Sequence, residues 1–530
     1  MPDNFNELFE NEKARLNPQQ AAAVNAIEGP VLVIAGPGTG KTQVLSLRIA
    51  NILALTDTQP ENILCLTYTD NAAYNMRQRL IKIMGSTAYK INVFTFHSLA
   101  NYIFQENSMF FENKDIPIIN KLEEVLFMRE LVDDLIKKHR NQHPLTQIKD
   151  PYHYIKPLIY LFENIKRENF NPAELINNIN HCINDLPNQA DFIYKKNSGT
   201  NKKGDINYRK LNEATETYKK LEAAISCFEL YQNKLKTKAR CNFDDLINWV
   251  IELLQSHETI RNSYQERFQY ILIDEFQDTN GSQYKLMEQL TNFWEKPNLF
   301  VVGDDDQSIF RFQGANIENM VHFIQQYITH PPQEVFCLIH NYRSSQQLIN
   351  SSKTLISNNS ERLINNASFN KFELNKDFIA ANPLYNQSQL LPIYTLYHTI
   401  DDEYIDVVQK IKDLILIDKT PPHEIAVLYK ENKIGIELQE YFKVENLPFH
   451  CSVDIDILNE PTIKQVIKIF RYVLDETNIK KAFQNDRLLF EILHFRFFNL
   501  SLVEIGEVFL QYNQIKNADN NFIHFRYFLM

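Results

Sequence analysis

The segment Ala35-Gly36-Pro37-Gly38-Thr39-Gly40-Lys41-Thr42 places three glycines, a lysine and a hydroxyl within eight residues. Glycine backbone bends so that successive N–H groups point inward around an anion, and a helix start adds the positive end of its dipole. A strand-like run precedes this segment (Val31-Leu-Val-Ile34) and a helical run follows it (Val44 to Leu53). That is the spacing of a phosphate-binding loop, with Ala35 where a first glycine often stands. In such a loop Lys41 reaches the β- and γ-phosphates of a nucleotide and Thr42 ligates Mg²⁺. A second candidate, Asp274-Glu275, follows the apolar run Tyr270-Ile-Leu-Ile273. Two acids at the C-terminal edge of a parallel strand sit where α/β sheets bind ligands, Asp274 to hold Mg²⁺ and Glu275 to orient or deprotonate water. Gln307, beyond Leu299-Phe-Val-Val302, is a candidate γ-phosphate sensor, because an amide both donates to phosphate and accepts from water. Phe310 and Phe312 flank Arg311 just after it. They read either as core residues or as a platform on which bases stack.

These residues need a sheet to hold them at one edge. Glycine is scarce, 12 in 530 residues, so three within five positions mark a special loop. Short apolar runs at Val31–Ile34, Ile63–Leu66, Ile91–Phe94, Tyr270–Ile273 and Leu299–Val302 alternate with helical patterns. Continuous apolar strands alternating with helices predict an α/β fold with a parallel sheet covered on both faces. From about 100 to 240 the pattern is helical, and within it 195–240 carries a local charge of +7. That run reads either as a solvated helix face or as a surface that tracks phosphates. A second αβ pattern is predicted from Val335-Phe-Cys-Leu338 and includes Ile425-Ala-Val-Leu428, with Pro331-Pro332 before it as a domain boundary. The stretch from about Pro461 reads as helical.

Composition narrows the classes. A length of 530 implies several folded units, and 44% apolar residues suffice for several cores. Six scattered cysteines without a Cys-x-x-Cys pair argue against a disulfide scaffold, zinc ribbon or iron–sulfur cluster, and fit a reducing cytosol. The polar, acidic start lacks the apolar core of a signal peptide, and no run of 18 apolar residues predicts a membrane span. The net charge of −11 counts against a nucleic-acid binder only weakly, since a large protein can gather its basic groups on one surface.

Taken in order, the segments resemble the superfamily 1 DNA helicases of the UvrD/Rep/PcrA type. Leu16-Asn-Pro-Gln-Gln20 is similar to the family's Q motif, with Gln20 at the adenine-reading position. Thr67–Ala73 and Val93–Ser98 are similar to motifs Ia and Ib, and Phe243-Asp-Asp-Leu-Ile247 to the acidic segment before motif II. Asp274–Asn280 resembles motif II, Gly303–Phe310 motif III, and Asn341-Tyr-Arg-Ser344 motif IV. The resemblance implies a RecA-like P-loop NTPase domain over 1–100 and 240–332, and a helical accessory insertion over 101–239. It further implies part of a second RecA-like domain over 333–460 and the start of a second helical insertion over 461–530. It implies ATP and Mg²⁺ as cofactors, and single-stranded DNA and its junctions with duplex as partners. Tyr342 would stack on adenine, Arg343 would meet the γ-phosphate, and Tyr68, Phe96, His97, Phe310 and Phe312 would face DNA.

The chain also departs from the family. Asn71 stands where a lysine is usual, Phe312 where a tryptophan is, and Gln313 where an arginine is. No motif V or VI follows Ser344, so the chain is expected to stop inside the second insertion. The leading expectation is an ATP-dependent translocase or helicase of 3′→5′ polarity, acting in the cytoplasm. The alternative is an ATP- and DNA-binding module without motor activity. A P-loop kinase or GTPase leaves motifs Ia, Ib, III and IV unexplained.

Overall fold

The computed structural model describes residues 5–529 apart from 112–115, 140–142, 147–149, 197–201, 312–313, 329–333, 367–368, 370–371, 373, 386–387, 389, 452–456, 478–484 and 519–523. The chain divides into two compact units, Met1–Pro392 and Ile393–Met530.

In the first unit, β1 (Val31–Ala35), β2 (Ile63–Thr67), β3 (Asn92–Thr95), β4 (Tyr270–Ile273), β5 (Leu299–Gly303) and β6 (Val335–Leu338) form one sheet in the order β3-β2-β4-β5-β1-β6. Every pairing is parallel. Alternate side chains leave a strand on opposite faces. Leu32, Ile34, Leu64, Leu66 and Ile271 therefore enter one core, with residues of the helices Phe96–Glu106, Phe243–Ser256 and Gly281–Thr291. Val31, Val33, Ile63 and Cys65 enter the other, beneath Lys41–Leu55 and Asp70–Met84. Burial on both faces is why these strands read as unbroken apolar runs. Because all six run the same way, the segments that follow them share one edge.

β6 differs from the sequence expectation. Val335–Leu338 was expected to open a second αβ pattern, yet Leu32 to Ala35 of β1 pair with it, making it the outer strand of the first sheet. A strand joins whichever sheet edge is open beside it, and pairing across 300 residues leaves no local signal. Pro331 and Pro332, read as a boundary, lie outside the described residues.

Between β3 and β4 the helices Lys121–His139, Ile155–Arg167, Pro172–Asp185, Tyr208–Ser226 and Phe228–Thr237 build a separate layer around Met128, Leu131, Phe162 and Tyr231. A buried ion pair ties it to the sheet domain: Lys166 Nζ meets both oxygens of Asp245, at 2.8 and 2.9 Å. Part of the charge of 195–240 is answered by a neighbouring helix. Lys234 and Lys238 meet Glu130, Lys234 also meets Asp134, and Arg240 meets Glu123. These contacts favour the solvated-face reading at Lys234, Lys238 and Arg240.

The second unit packs Ile400–Leu416 against Asn432–Val444 through Tyr404, Val408, Leu438 and Phe442, and continues in helices from Pro461. The expected strand Ile425–Leu428 is in no sheet, and Leu428 is 94% exposed. Apolar, β-prone sequence becomes a strand only beside a partner strand. No described helix is long and apolar enough to cross a membrane.

Candidate functional site

The loop after β1 takes the expected conformation. Gly38 and Gly40 have φ of 71° and 87°, the left-handed region that a side chain disfavours. Gly36 is required for space instead, because a Cβ there would collide with the ring of Phe378. Thr39, fully buried, closes the loop by donating to the Gly36 carbonyl at 2.8 Å. Gln20 braces its end. The Gln20 amide donates to the Thr39 carbonyl at 2.9 Å and accepts from the backbone of Asn17 at 3.1 Å, within a capping box that starts the helix Pro18–Asn25. Arg48, two turns into the loop's helix, donates to the carbonyls of Ala23 and Ile27 at the C-terminal end of Pro18–Asn25. Sequence reading passed Arg48 over, since a lone arginine in an apolar helix carries no motif.

The segment after β6 closes over the loop. Asn341 donates to the Pro37 carbonyl at 2.7 Å, and the Tyr342 N–H donates to the Gly38 carbonyl at 2.8 Å. The Tyr342 hydroxyl accepts from Asn17 at 2.9 Å, which sets the ring beside the helix carrying Gln20. Arg343 lies against Gly38, where an added Cβ would come within 2.6 Å of the arginine's own. Tyr342 and Arg343 thus flank the phosphate loop from within the first compact unit.

The paired acids face the same loop. Lys41 Nζ donates to Glu275 Oε2 at 2.7 Å. Glu275 has φ 48°, a strained conformation for a non-glycine residue, and it ends β4 abruptly. Gln277 donates to Glu275 at 2.9 Å, and its own carbonyl oxygen accepts from the Asp304 N–H at 3.0 Å. Burial, then the neighbouring Glu275 charge, pushes Asp274 up to about 6 and Asp278 up to about 7. One oxygen of Asp278 is buried without a hydrogen-bond partner. This crowd of carboxylates is short of positive charge. Asp274 and the Thr42 hydroxyl are hard oxygen donors, and Asp274 lies near enough to Lys41, the residue before Thr42, to feel its charge. Mg²⁺ is commonly held by one or two such groups and the substrate's phosphates, not by a full protein cage. The chemistry of this donor set therefore fits that ion.

Gln307, the expected phosphate sensor, donates to Asp304 Oδ2 at 2.7 Å, so the acid at the end of β5 sets its direction. Farther along the edge, Tyr68 and Phe310 form a tilted pair with centroids 5.5 Å apart. Burial and, after it, the Asp278 charge push the Tyr68 hydroxyl up, which links this pair to the acids. His97 stands beside Asp244, 3.8 Å from its carboxylate, with the exposed ring of Phe243 edge-on to it. Arg167 of the helical layer meets the same carboxylate at 3.3 Å and was not legible from sequence. Phe96 is a correction. Expected to face DNA, it is 3% exposed within the core, because the helix it starts turns that first position toward the sheet. Phe312 lies outside the described residues.

The profile of the UvrD/REP helicase N-terminal domain matches residues 16–328, and that of the UvrD-like helicase C-terminal domain matches 336–489. The ATP-dependent DNA helicase PcrA of Staphylococcus aureus is 29% identical over 464 residues, covering 87% of this chain and 54% of the relative. The protein of the same name from Staphylococcus epidermidis is 28% identical over 466 residues, with the same shares. The chain spans about half the length of the curated relatives it matches. A match to both helicase domains weighs against a module confined to binding.

Proposed function

Because the chain belongs to the UvrD/Rep helicase family, we propose that it carries the nucleotide-hydrolysing site of an ATP-dependent DNA helicase that moves along single-stranded DNA, 3′→5′ by its resemblance. The carrying observation is the 2.7 Å contact of Lys41 with Glu275, which brings phosphate loop and paired acids into one site.

In this reading the amides of Ala35 to Thr42 and the Lys41 ammonium bind the phosphates, while Gln20 and Tyr342 bound the adenine side. Thr42 and Asp274 would hold Mg²⁺, which neutralises phosphate charge when bound. Glu275 accepts a proton from the attacking water, and Lys41 exchanges its contact with Glu275 for phosphate oxygens, leaving that carboxylate free to act as a base. Arg343, beside Gly38, answers the charge that spreads over the phosphoryl oxygens. Gln307 reports the γ-phosphate to Phe310, three residues on, where Tyr68, Phe310 and His97 contact single-stranded DNA. The aromatic pair stacks on bases, a sequence-tolerant grip. The substrates are single strands and their junctions with duplex.

The test is magnesium ATP hydrolysis by the chain, with and without an oligothymidylate. Lys41→Ala and Glu275→Gln are each expected to lower turnover by about 10²–10⁴-fold. Calorimetry is expected to show Glu275→Gln still binding the nucleotide. Undiminished hydrolysis in either variant refutes the assignment.

A further inference from the structure

The turn after β5 is three consecutive aspartates, Asp304, Asp305 and Asp306, and it is held from a segment with no recognisable motif. Lys376, whose side chain is 2% exposed, reaches all three: Asp304 at 2.9 Å, Asp306 at 3.1 Å, and Asp305 in a close contact. Arg362 grips Asp306 with two parallel bonds of 2.7 Å, and the Leu363 N–H donates to Asp305 at 2.8 Å. Three carboxylates thus share two cations, with Lys376 at the centre.

That arrangement has a direction. One oxygen of Asp304 takes Lys376, and the other takes the Gln307 amide at 2.7 Å. The Asp304 N–H reaches Gln277, Gln277 reaches Glu275, and Glu275 reaches Lys41. An unbroken chain of polar contacts therefore runs from Lys376 to the phosphate loop. The segment carrying Lys376 also touches that loop directly. Phe378 lies against Gly36, and β8 (Ile379–Ala380) pairs with β7 (His340–Asn341), whose Asn341 is bonded to Pro37. A buried lysine among carboxylates is desolvated, and burial of this kind is favourable only when geometry and partners are complete. Movement of one partner is therefore felt by all.

We propose that Lys376 is a positioning residue of this site. It holds the acidic turn so that Gln307 stands at the working distance from Glu275 and Lys41, and it thereby couples turnover to the Tyr68–Phe310 edge. The proposal rests on the ATP-hydrolysing reading given above. Without Lys376, three carboxylates retain a single cation, the turn opens, and the Gln307 amide loses its aim.

The experiment uses the full chain with Lys376→Met, Lys376→Arg, and the charge-balanced pair Asp305→Asn with Lys376→Met, which keeps the cluster's net charge and so protects the fold. For each, ATP affinity, turnover and the stimulation ratio with oligothymidylate are measured alongside the thermal midpoint. Lys376→Met is expected to bind ATP within about twofold of wild type, lose at least about tenfold in turnover, and lose most of its stimulation. Lys376→Arg is expected to recover part of both. The balanced pair is expected to regain the thermal midpoint while turnover and stimulation stay low. Full turnover and stimulation in folded Lys376→Met overturns the proposal, as does recovery of turnover together with thermal midpoint in the balanced pair. A wild-type chain that hydrolyses no ATP defeats the underlying reading, and the proposal falls with it. A wild-type chain that hydrolyses ATP beside an unaffected variant defeats the proposal alone.

Discussion

Asp274 shows what a single residue contributes at this site. Its carboxyl has an ordinary value of 3.8 and is raised to about 6 by burial and by Glu275. A carboxylate raised on folding stabilises the fold only while it is protonated. Its contribution is complete below the unfolded value and is lost as pH climbs through the folded one, a change on the order of 3 kcal/mol. Asp274→Asn cannot ionise. In EDTA its thermal midpoint is therefore expected to exceed wild type, by a margin that widens from pH 5 to pH 8. A margin that stays constant or shrinks over that window contradicts the assigned burial. The glycine-rich loop after β1 and the paired acids after β4 were legible in sequence because local backbone demands fix both their residue types and their spacing. Arg167 and Lys376 were not, since each matters only through a partner distant in sequence.

At the scale of elements, the loop after β1 is shaped by what lies on it. Gly36 does not have a positive φ, so its requirement comes from the Phe378 ring and not from its own backbone. Gly36→Ala is expected to cost about 1–3 kcal/mol by overpacking and to weaken ATP binding. Adding Phe378→Ala is expected to restore stability, and a double-mutant cycle read by denaturant unfolding measures the coupling. Additive losses would show that the ring is not the obstacle. The apolar strands β1, β2, β4 and β5 were read correctly from composition, because burial on both faces leaves a plain mark. β6 was recognised as a strand but assigned to the wrong sheet, and Ile425–Leu428 formed none. Both outcomes turn on neighbours, which no local pattern names.

Across the first compact unit, the helical layer and the sheet domain share the buried Lys166–Asp245 pair. Removing one partner of such a pair leaves an uncompensated charge, and Lys166→Met is expected to cost about 3–5 kcal/mol. Lys166→Met with Asp245→Asn is expected to recover much of it, as read by chemical denaturation. Equal losses in the single and double variants would show that the pair is not what joins the layers. The basic run 195–240 belongs to this scale as well. Its charge count was right, and Glu123, Glu130 and Asp134 of a neighbouring helix answer Lys234, Lys238 and Arg240 within it.

Sequence alone determined the parallel α/β architecture, the glycine-rich loop after β1, the acid pair after β4 and the family, because each is written in short runs of residues adjacent in the chain. Tertiary structure decided which strand closes the sheet, that Phe96 is core, that Gln307 is aimed by Asp304, and that Lys376 holds the acidic turn. The physical reason is that a buried charge or ring takes its meaning from what surrounds it, and those surroundings are assembled only when distant segments meet.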